Sequence, residues 1–152
     1  PIQLISPLTG EARDLSQAID PVFSSGVMGK GIVIDPSEGK LFAPVDGEVS
    51  VLFPTFHAIG ITTSTGIELL MHIGMDTVGL EGKGFTAHVK QGDKVKAGDL
   101  LIDFDIAVIK AAGLVAETPI IVTNQTDFVT QVIGNLPRTI TQGKTILTIT
   151  KN

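Results

Sequence analysis

The chain has no cysteine, no tryptophan and no tyrosine among its 152 residues. Without cysteine there is no disulfide, no thiolate nucleophile and no cysteine metal site. Without Trp or Tyr to stack on bases, and with eleven basic residues scattered among sixteen acidic ones for a net charge of −5, a nucleic-acid partner is excluded. A basic protein partner suits that charge. Mean hydropathy is positive, yet no apolar run approaches the roughly 18 residues of a membrane span. The N-terminus has neither a basic n-region nor an apolar stretch. The expectation is a cytoplasmic chain with no direct membrane insertion. Walker loops, dinucleotide fingerprints and nucleophile elbows are also missing, which removes three common enzyme classes.

Glycine and proline are plentiful, 17 and 8 respectively. They divide the chain into short segments rich in Val, Ile, Thr and Phe: Ile2–Ser6, Gly31–Asp35, Lys40–Ala43, Gly47–Phe53, Phe56–Thr62, Ile67–His72, Phe85–Lys90, Asp99–Phe104, Thr118–Thr123 and Lys144–Thr150. That is an all-β pattern. Ser6-Pro7-Leu8-Thr9-Gly10-Glu11-Ala12 echoes Ala43-Pro44-Val45-Asp46-Gly47-Glu48-Val49, and Gly92–Leu100 forms a third turn of related character. The expected fold is an antiparallel β-sandwich built from duplicated hairpin motifs, forming one domain over residues 1–152. Helical structure is expected only at Ile106–Ala112, between an Asp105 N-cap and Gly113, and as a turn at Leu15–Ile19.

Two of the three histidines, His57 and His72, stand fifteen residues apart on segments joined by Thr63-Ser64-Thr65-Gly66, a cluster of the kind that closes hairpins. With Ser64 and Thr65 as a two-residue loop, His57 lies directly opposite His72, the Cβ atoms about 4.5–5.5 Å apart. Facing imidazoles can share a phosphate, a proton or a metal ion. In that register Ile59, Ile61 and Leu70 share the face of the two rings, and Thr55 points the same way, able to orient the His57 ring. Beyond His72, Ile73-Gly74-Met75-Asp76-Thr77-Val78-Gly79 can return backbone N–H groups and Asp76 towards the rings. Val22, Phe23, Val27, Met28, Phe53, Ile59 and Leu70 form a candidate exposed apolar set around the pair. The third histidine, His88, alternates with apolar neighbours and belongs with Thr86 and Lys90 on a solvated face.

Leu69-Leu70-Met71-His72-Ile73-Gly74-Met75-Asp76-Thr77-Val78, together with Thr55-Phe56-His57-Ala58, Ala43-Pro44-Val45-Asp46-Gly47 and Gly92-Asp93-Lys94-Val95-Lys96-Ala97-Gly98-Asp99, resembles the glucose-type IIA component of the bacterial phosphoenolpyruvate:sugar phosphotransferase system. The resemblance runs from about Ile2 to Lys151. It implies a β-sandwich that accepts phosphate from the phosphocarrier HPr and passes it to the IIB domain of a sugar permease, with no metal or organic cofactor; whether regulatory proteins are further targets stays open. His72 falls on the family's phosphorylated histidine, His57 on its second active-site histidine and Thr55 on the threonine that orients it. Asp20 and Asp76 match acidic residues facing arginines on HPr, and Phe23 and Phe53 match its hydrophobic rim. Gly79 stands where some relatives carry an acidic residue and Leu70 where an aromatic is common.

Two other classes compete. His72-Ile73-Gly74-Met75-Asp76 is also the His-x-x-x-Asp spacing of lysostaphin-type zinc endopeptidases, but their further His-x-His is missing. A lipoyl-like interaction module would need a lysine at a tight hairpin tip with the expected flanking residues, and the sequence offers none.

Overall fold

The computed structural model describes Pro1–Asn152. An eight-stranded sheet runs in the order β13 (Arg138–Ile140), β2 (Gly10–Asp14), β3 (Lys30–Pro36), β11 (Thr118–Val122), β7 (Glu68–His72), β6 (Ala58–Thr62), β5 (Gly47–Leu52), β9 (Lys94–Val95). Two three-stranded sheets accompany it: β1 (Ile2–Ile5), β14 (Thr145–Lys151) and β12 (Phe128–Val132) in the order β1-β14-β12, and β4 (Lys40–Phe42), β10 (Leu100–Phe104) and β8 (Phe85–Ala87) in the order β4-β10-β8. Pairing is antiparallel in all three sheets, for example between β1 and β14, β4 and β10, and β7 and β11. One apolar core takes side chains from every sheet, among them Leu4, Leu147, Leu41, Ile102, Ile34, Ile61 and Met71. This is the all-β sandwich that the segment pattern predicts.

The weak repeat is a real symmetry of the fold. Ile5 N donates to Pro44 O at 3.0 Å, and Phe42 N donates to Pro7 O at 2.9 Å, so the two Pro-containing turns bind each other reciprocally. The return turns match as well. Ser6 N bonds Lys144 O while Gly143 N bonds Ser6 O; in the other half Ala43 N bonds Asp99 O while Gly98 N bonds Ala43 O. The strand order of the large sheet reads the same from both edges when β13, β2, β3 and β11 are exchanged for β9, β5, β6 and β7. Gly10 and Gly47 occupy matching places for one physical reason. A Cβ at Gly10 would lie 2.1 Å from Asp35 O, and one at Gly47 would lie 2.7 Å from Thr62 O, so only glycine lets each strand start against its neighbour's backbone.

Four strands fall outside the predicted segments: β2, β9, β12 and β13. β2 carries Glu11, Arg13 and Asp14, and β9 is two residues long, so neither offers a run of β-branched residues. The C-terminal helix α2 (Ile106–Ala111) forms as expected, with Asp105 accepting from Ala107 N and Val108 N. Leu15–Gln17 makes the expected turn. A further short helix, α1 (Pro21–Ser24), forms where no helical structure is expected. Its signal is Asp20-Pro21: the carboxylate caps Val22 N at 2.9 Å and proline takes the first helical position.

The hairpin that carries the histidines closes differently from expectation. Thr63 N bonds Ile67 O, and Gly66 adopts φ +92°, giving a three-residue loop with glycine in the left-handed position. The extra residue shifts the register by one, so His72 faces Ala58 and Met71 faces Ile59. A slip of one residue exchanges the faces of a strand. Ile59 and Ile61 are therefore fully buried core residues, and Ile59 is no part of an exposed apolar set. The outer face of this hairpin carries His72 and Leu70, opposite the small residues Ala58 and Gly60.

Candidate functional site

In an uninterrupted pleat, the observed register would turn His57 into the core. Phe53-Pro54-Thr55-Phe56 prevents this. Phe56 N bonds Phe53 O at 2.8 Å, and Phe56 itself has φ +61°, so the chain kinks just before β6 begins. Phe56 packs against the core and His57 swings to the outer face. Its carbonyl still accepts from Ile73 N at 2.7 Å, which ties this loop to the end of β7. The two imidazoles end 5.0 Å apart, edge to face. The expected pairing of rings is thus present, reached by a bent loop rather than by direct opposition.

Phe23 and Phe53 extend the pair into a row of four rings. Phe23 lies 5.4 Å from His72, and Phe53 lies 5.2 Å from His57. The two phenylalanines differ in kind. Phe53 is 38% exposed, whereas Phe23 is only 6% exposed and packs with Leu15, Ala18, Val33, Met75 and Ile121. Phe23 is therefore a wall behind His72 and not an exposed contact, a correction imposed by α1, which turns it inward. Leu70 packs beside it, half-buried. Val22, Val27 and Met28 are exposed as expected. Ile19, Val78 and Val115 are exposed too and were missed by the sequence reading; Val78 follows the Asp76 turn, and Val115 lies in the stretch that binds Met75.

Each ring has one nitrogen engaged. His72 Nδ1 donates to Gly74 O at 2.7 Å, so its proton sits on Nδ1 and Nε2 carries a lone pair. Gly74 can turn its carbonyl back because it adopts φ +73°, and a Cβ there would meet Thr77 Cγ2 at 2.6 Å and Val115 O at 2.8 Å. Thr77 closes the same loop from its hydroxyl onto Ile73 O. The loop thus returns a carbonyl to the ring, where backbone N–H groups were expected; those of Ile73 and Met75 are committed to His57 O and Val115 O. His57 Nδ1 is 2.5 Å from Thr55 Oγ1. His88 sits elsewhere, exposed and bound to Asp103 through Nε2.

Burial holds both imidazoles below the usual 6.5. For His57 the neighbouring His72 pushes in the same direction. For His72 the Gly74 carbonyl and the carboxylates of Asp20 and Asp76 partly offset the burial. Asp76 stands in a left-handed turn at φ +59°. Two neutral rings, one of them with a free nucleophilic nitrogen, thus sit side by side between Phe23 and Phe53. No three His, Asp or Glu side chains gather where they could hold a metal ion, so the zinc reading lacks a ligand set here.

The family model for the phosphoenolpyruvate-dependent sugar phosphotransferase system, EIIA 1, matches residues 2–128. The chain belongs to this family. The EIIA chain is 58% identical over 126 residues to the beta-glucoside-specific EIIBCA component of Halalkalibacterium halodurans, covering 83% of the chain but 20% of that longer protein. It is 46% identical over 142 residues to the glucose-specific EIIA component of Bacillus anthracis, covering 93% of the chain and 86% of the relative. Its fold superposes on glucose permease IIA from Mycoplasma capricolum with a TM-score of 0.88 at 35% identity, covering 96% of the chain and 94% of the other. No helix is long and apolar enough to cross a membrane.

The lowered pKa values give this EIIA chain a defined pH response. Unfolded histidine binds protons near 6.5, while folded His57 and His72 bind them only at lower pH. Stability should therefore be level above about pH 7 and decline as pH falls below 6.5, because the unfolded state takes up more protons there. Thermal melts of the wild type and of the His57→Gln, His72→Gln double variant across that window check this. An equal acid slope for both would contradict it.

Proposed function

We propose that residues 1–152 form one cytoplasmic phosphocarrier domain that takes a phosphoryl group from HPr onto His72 Nε2 and passes it to the IIB domain of a sugar permease. The observation that carries this reading is the His72–Gly74 hydrogen bond, which fixes the tautomer with Nε2 unprotonated. Phosphoryl transfer goes through a loose, in-line transition state, so the protein mainly positions the nucleophile and stabilises charge. With the Thr55 hydroxyl donating to His57 Nδ1, the His57 Nε2 proton is available to a phosphoryl oxygen. The row of rings keeps water from the phosphohistidine. The chain needs no metal or organic cofactor for this. The test is direct: incubated with phospho-HPr the chain should become labelled, and the labelled chain should label an isolated IIB domain. A chain that stays unlabelled contradicts the proposal.

Asp20, Asp76, Val22, Val27, Met28 and Phe53 form the docking rim in this reading. Charges at an interface edge act mainly on association rate. Asp20→Asn keeps the helix cap and Asp76→Asn keeps a residue that tolerates the left-handed turn, so the double variant removes charge without removing structure. It should accept phosphate several-fold more slowly at low salt and respond less to added salt, since less attraction remains to be screened. Parallel salt slopes in stopped-flow transfer would show that these carboxylates do not face the donor. The apolar part of the rim is better tested at Val27, 74% exposed, than at buried Phe23, whose truncation would cost about 3–5 kcal/mol of fold stability.

A further inference from the structure

Glu117 is 2% exposed and lies just ahead of β11. Oε2 accepts the Ile19 N–H at 2.6 Å, and Oε1 accepts from Arg13 Nη2 at 3.1 Å. Two residues earlier, Val115 O accepts Met75 N. The 115–117 stretch therefore grips both loops that flank His72: the glycine-rich exit from β7 and the approach to α1. Helix α1 spans only Pro21–Ser24, too short to hold itself in place. Yet it supplies Phe23, the ring behind His72, and begins at Asp20. Ile19 is 62% exposed, so its own side chain packs little and the carboxylate is what holds its N–H.

An ion pair with one partner buried, as here with the Glu117 side chain 3% and the Arg13 side chain 27% exposed, is a poor way to gain stability. Desolvating two charges offsets their attraction, and an apolar pair of similar size commonly does as well. Arg13 Nε moreover makes no hydrogen bond and lies 3.4 Å from Glu11 Oε1, an exposed carboxylate. What an apolar pair cannot do is accept the Ile19 N–H.

We propose that Glu117 is a positioning residue for the phosphoryl-acceptor site, its carboxylate fixing the Ile19–Asp20 backbone so that α1 presents Asp20 and Val22 to the donor and sets Phe23 against His72. This rests on the phosphocarrier reading above. Glu117 touches neither reacting ring and acts through α1 alone. Because Gly74 still orients His72, loss of the carboxylate weakens docking more than chemistry.

The test compares two double variants in the full chain, Arg13→Met, Glu117→Gln and Arg13→Met, Glu117→Leu. Both remove the charges, but only the glutamine keeps an acceptor for Ile19. With phospho-HPr as donor, the leucine variant should raise KM about tenfold with kcat changed less than about threefold, and the glutamine variant should restore KM to near wild type. Hydrogen exchange should show the Ile19 amide freed in the leucine variant alone, with β7 and β11 amides unchanged. Equal KM values in the two variants would overturn the proposal. So would fast exchange of Ile19 in the wild type, a measurement that needs no variant to fold. Failure of the wild type to accept phosphate would overturn the phosphocarrier reading instead, leaving the Ile19 exchange result to stand by itself.

Discussion

Replacing His72 by alanine should reduce phosphate incorporation from phospho-HPr to an undetectable level while leaving the fold intact. The ring is only half-buried and lies on the outer face of the hairpin, outside the main core, so its removal opens no large cavity. What it removes is the one imidazole whose free nitrogen is defined by a backbone carbonyl. His57 should not substitute for it. That residue is 3% exposed, and its Nδ1 is occupied by Thr55, leaving Nε2 placed to assist a phosphoryl group on its neighbour. Acid-quenched and base-quenched labelling checks the linkage as well, since a phosphohistidine is acid-labile and base-stable. Undiminished label on His72→Ala would remove the nucleophile assignment.

His57→Gln should separate the two halves of the carrier cycle. In the unphosphorylated chain His57 is neutral, its pKa lowered by burial and by His72, and it offers a single N–H to the incoming group. A glutamine amide can offer that too. Once His72 carries an anionic phosphoryl group, the neighbouring negative charge favours protonated His57, and the resulting cation stabilises the charge that develops as the group departs. Glutamine cannot supply a charge. Acceptance should therefore stay within a few-fold of wild type, while donation to IIB falls by about 10²–10³-fold, the scale of losing one preorganised electrostatic contact to the developing charge. Single-turnover transfer in each direction measures both. Donation at the wild-type rate would show that His57 does not act on the leaving phosphoryl group.

The pairing of His57 and His72 was legible because the hairpin is local: apolar alternation, a polar glycine turn and two histidines within one supersecondary unit. Its register was not. Whether Ser64-Thr65 or Ser64-Thr65-Gly66 forms the loop depends on the left-handed φ of Gly66, and that choice moved Ile59 from the site into the core. The rings still met because Phe56 takes a positive φ, which the sequence does not announce for a phenylalanine. Phe23 departs from the exposed apolar set because Asp20-Pro21 is a cap followed by a first-turn proline, and the short helix it starts turns the ring inward. Glu117 left no local trace. Its partner Ile19 lies 98 residues away, and only the strand order that sets β11 beside β7 brings that carboxylate to the loop behind His72. The duplication was legible only as turn chemistry; the reciprocal bonds between the two proline turns are what establish it.

The most direct test of the account is site-resolved. The chain would be incubated with phosphoenolpyruvate, enzyme I and HPr, and its imidazole nitrogens followed by nitrogen-phosphorus and nitrogen-proton NMR. One phosphate should appear, bonded to Nε2 of His72, with the Nδ1 proton still donated to the Gly74 carbonyl and with His57 titrating at higher pH than before. A phosphate on Nδ1 of His72, on His57 or on any other residue would contradict the account.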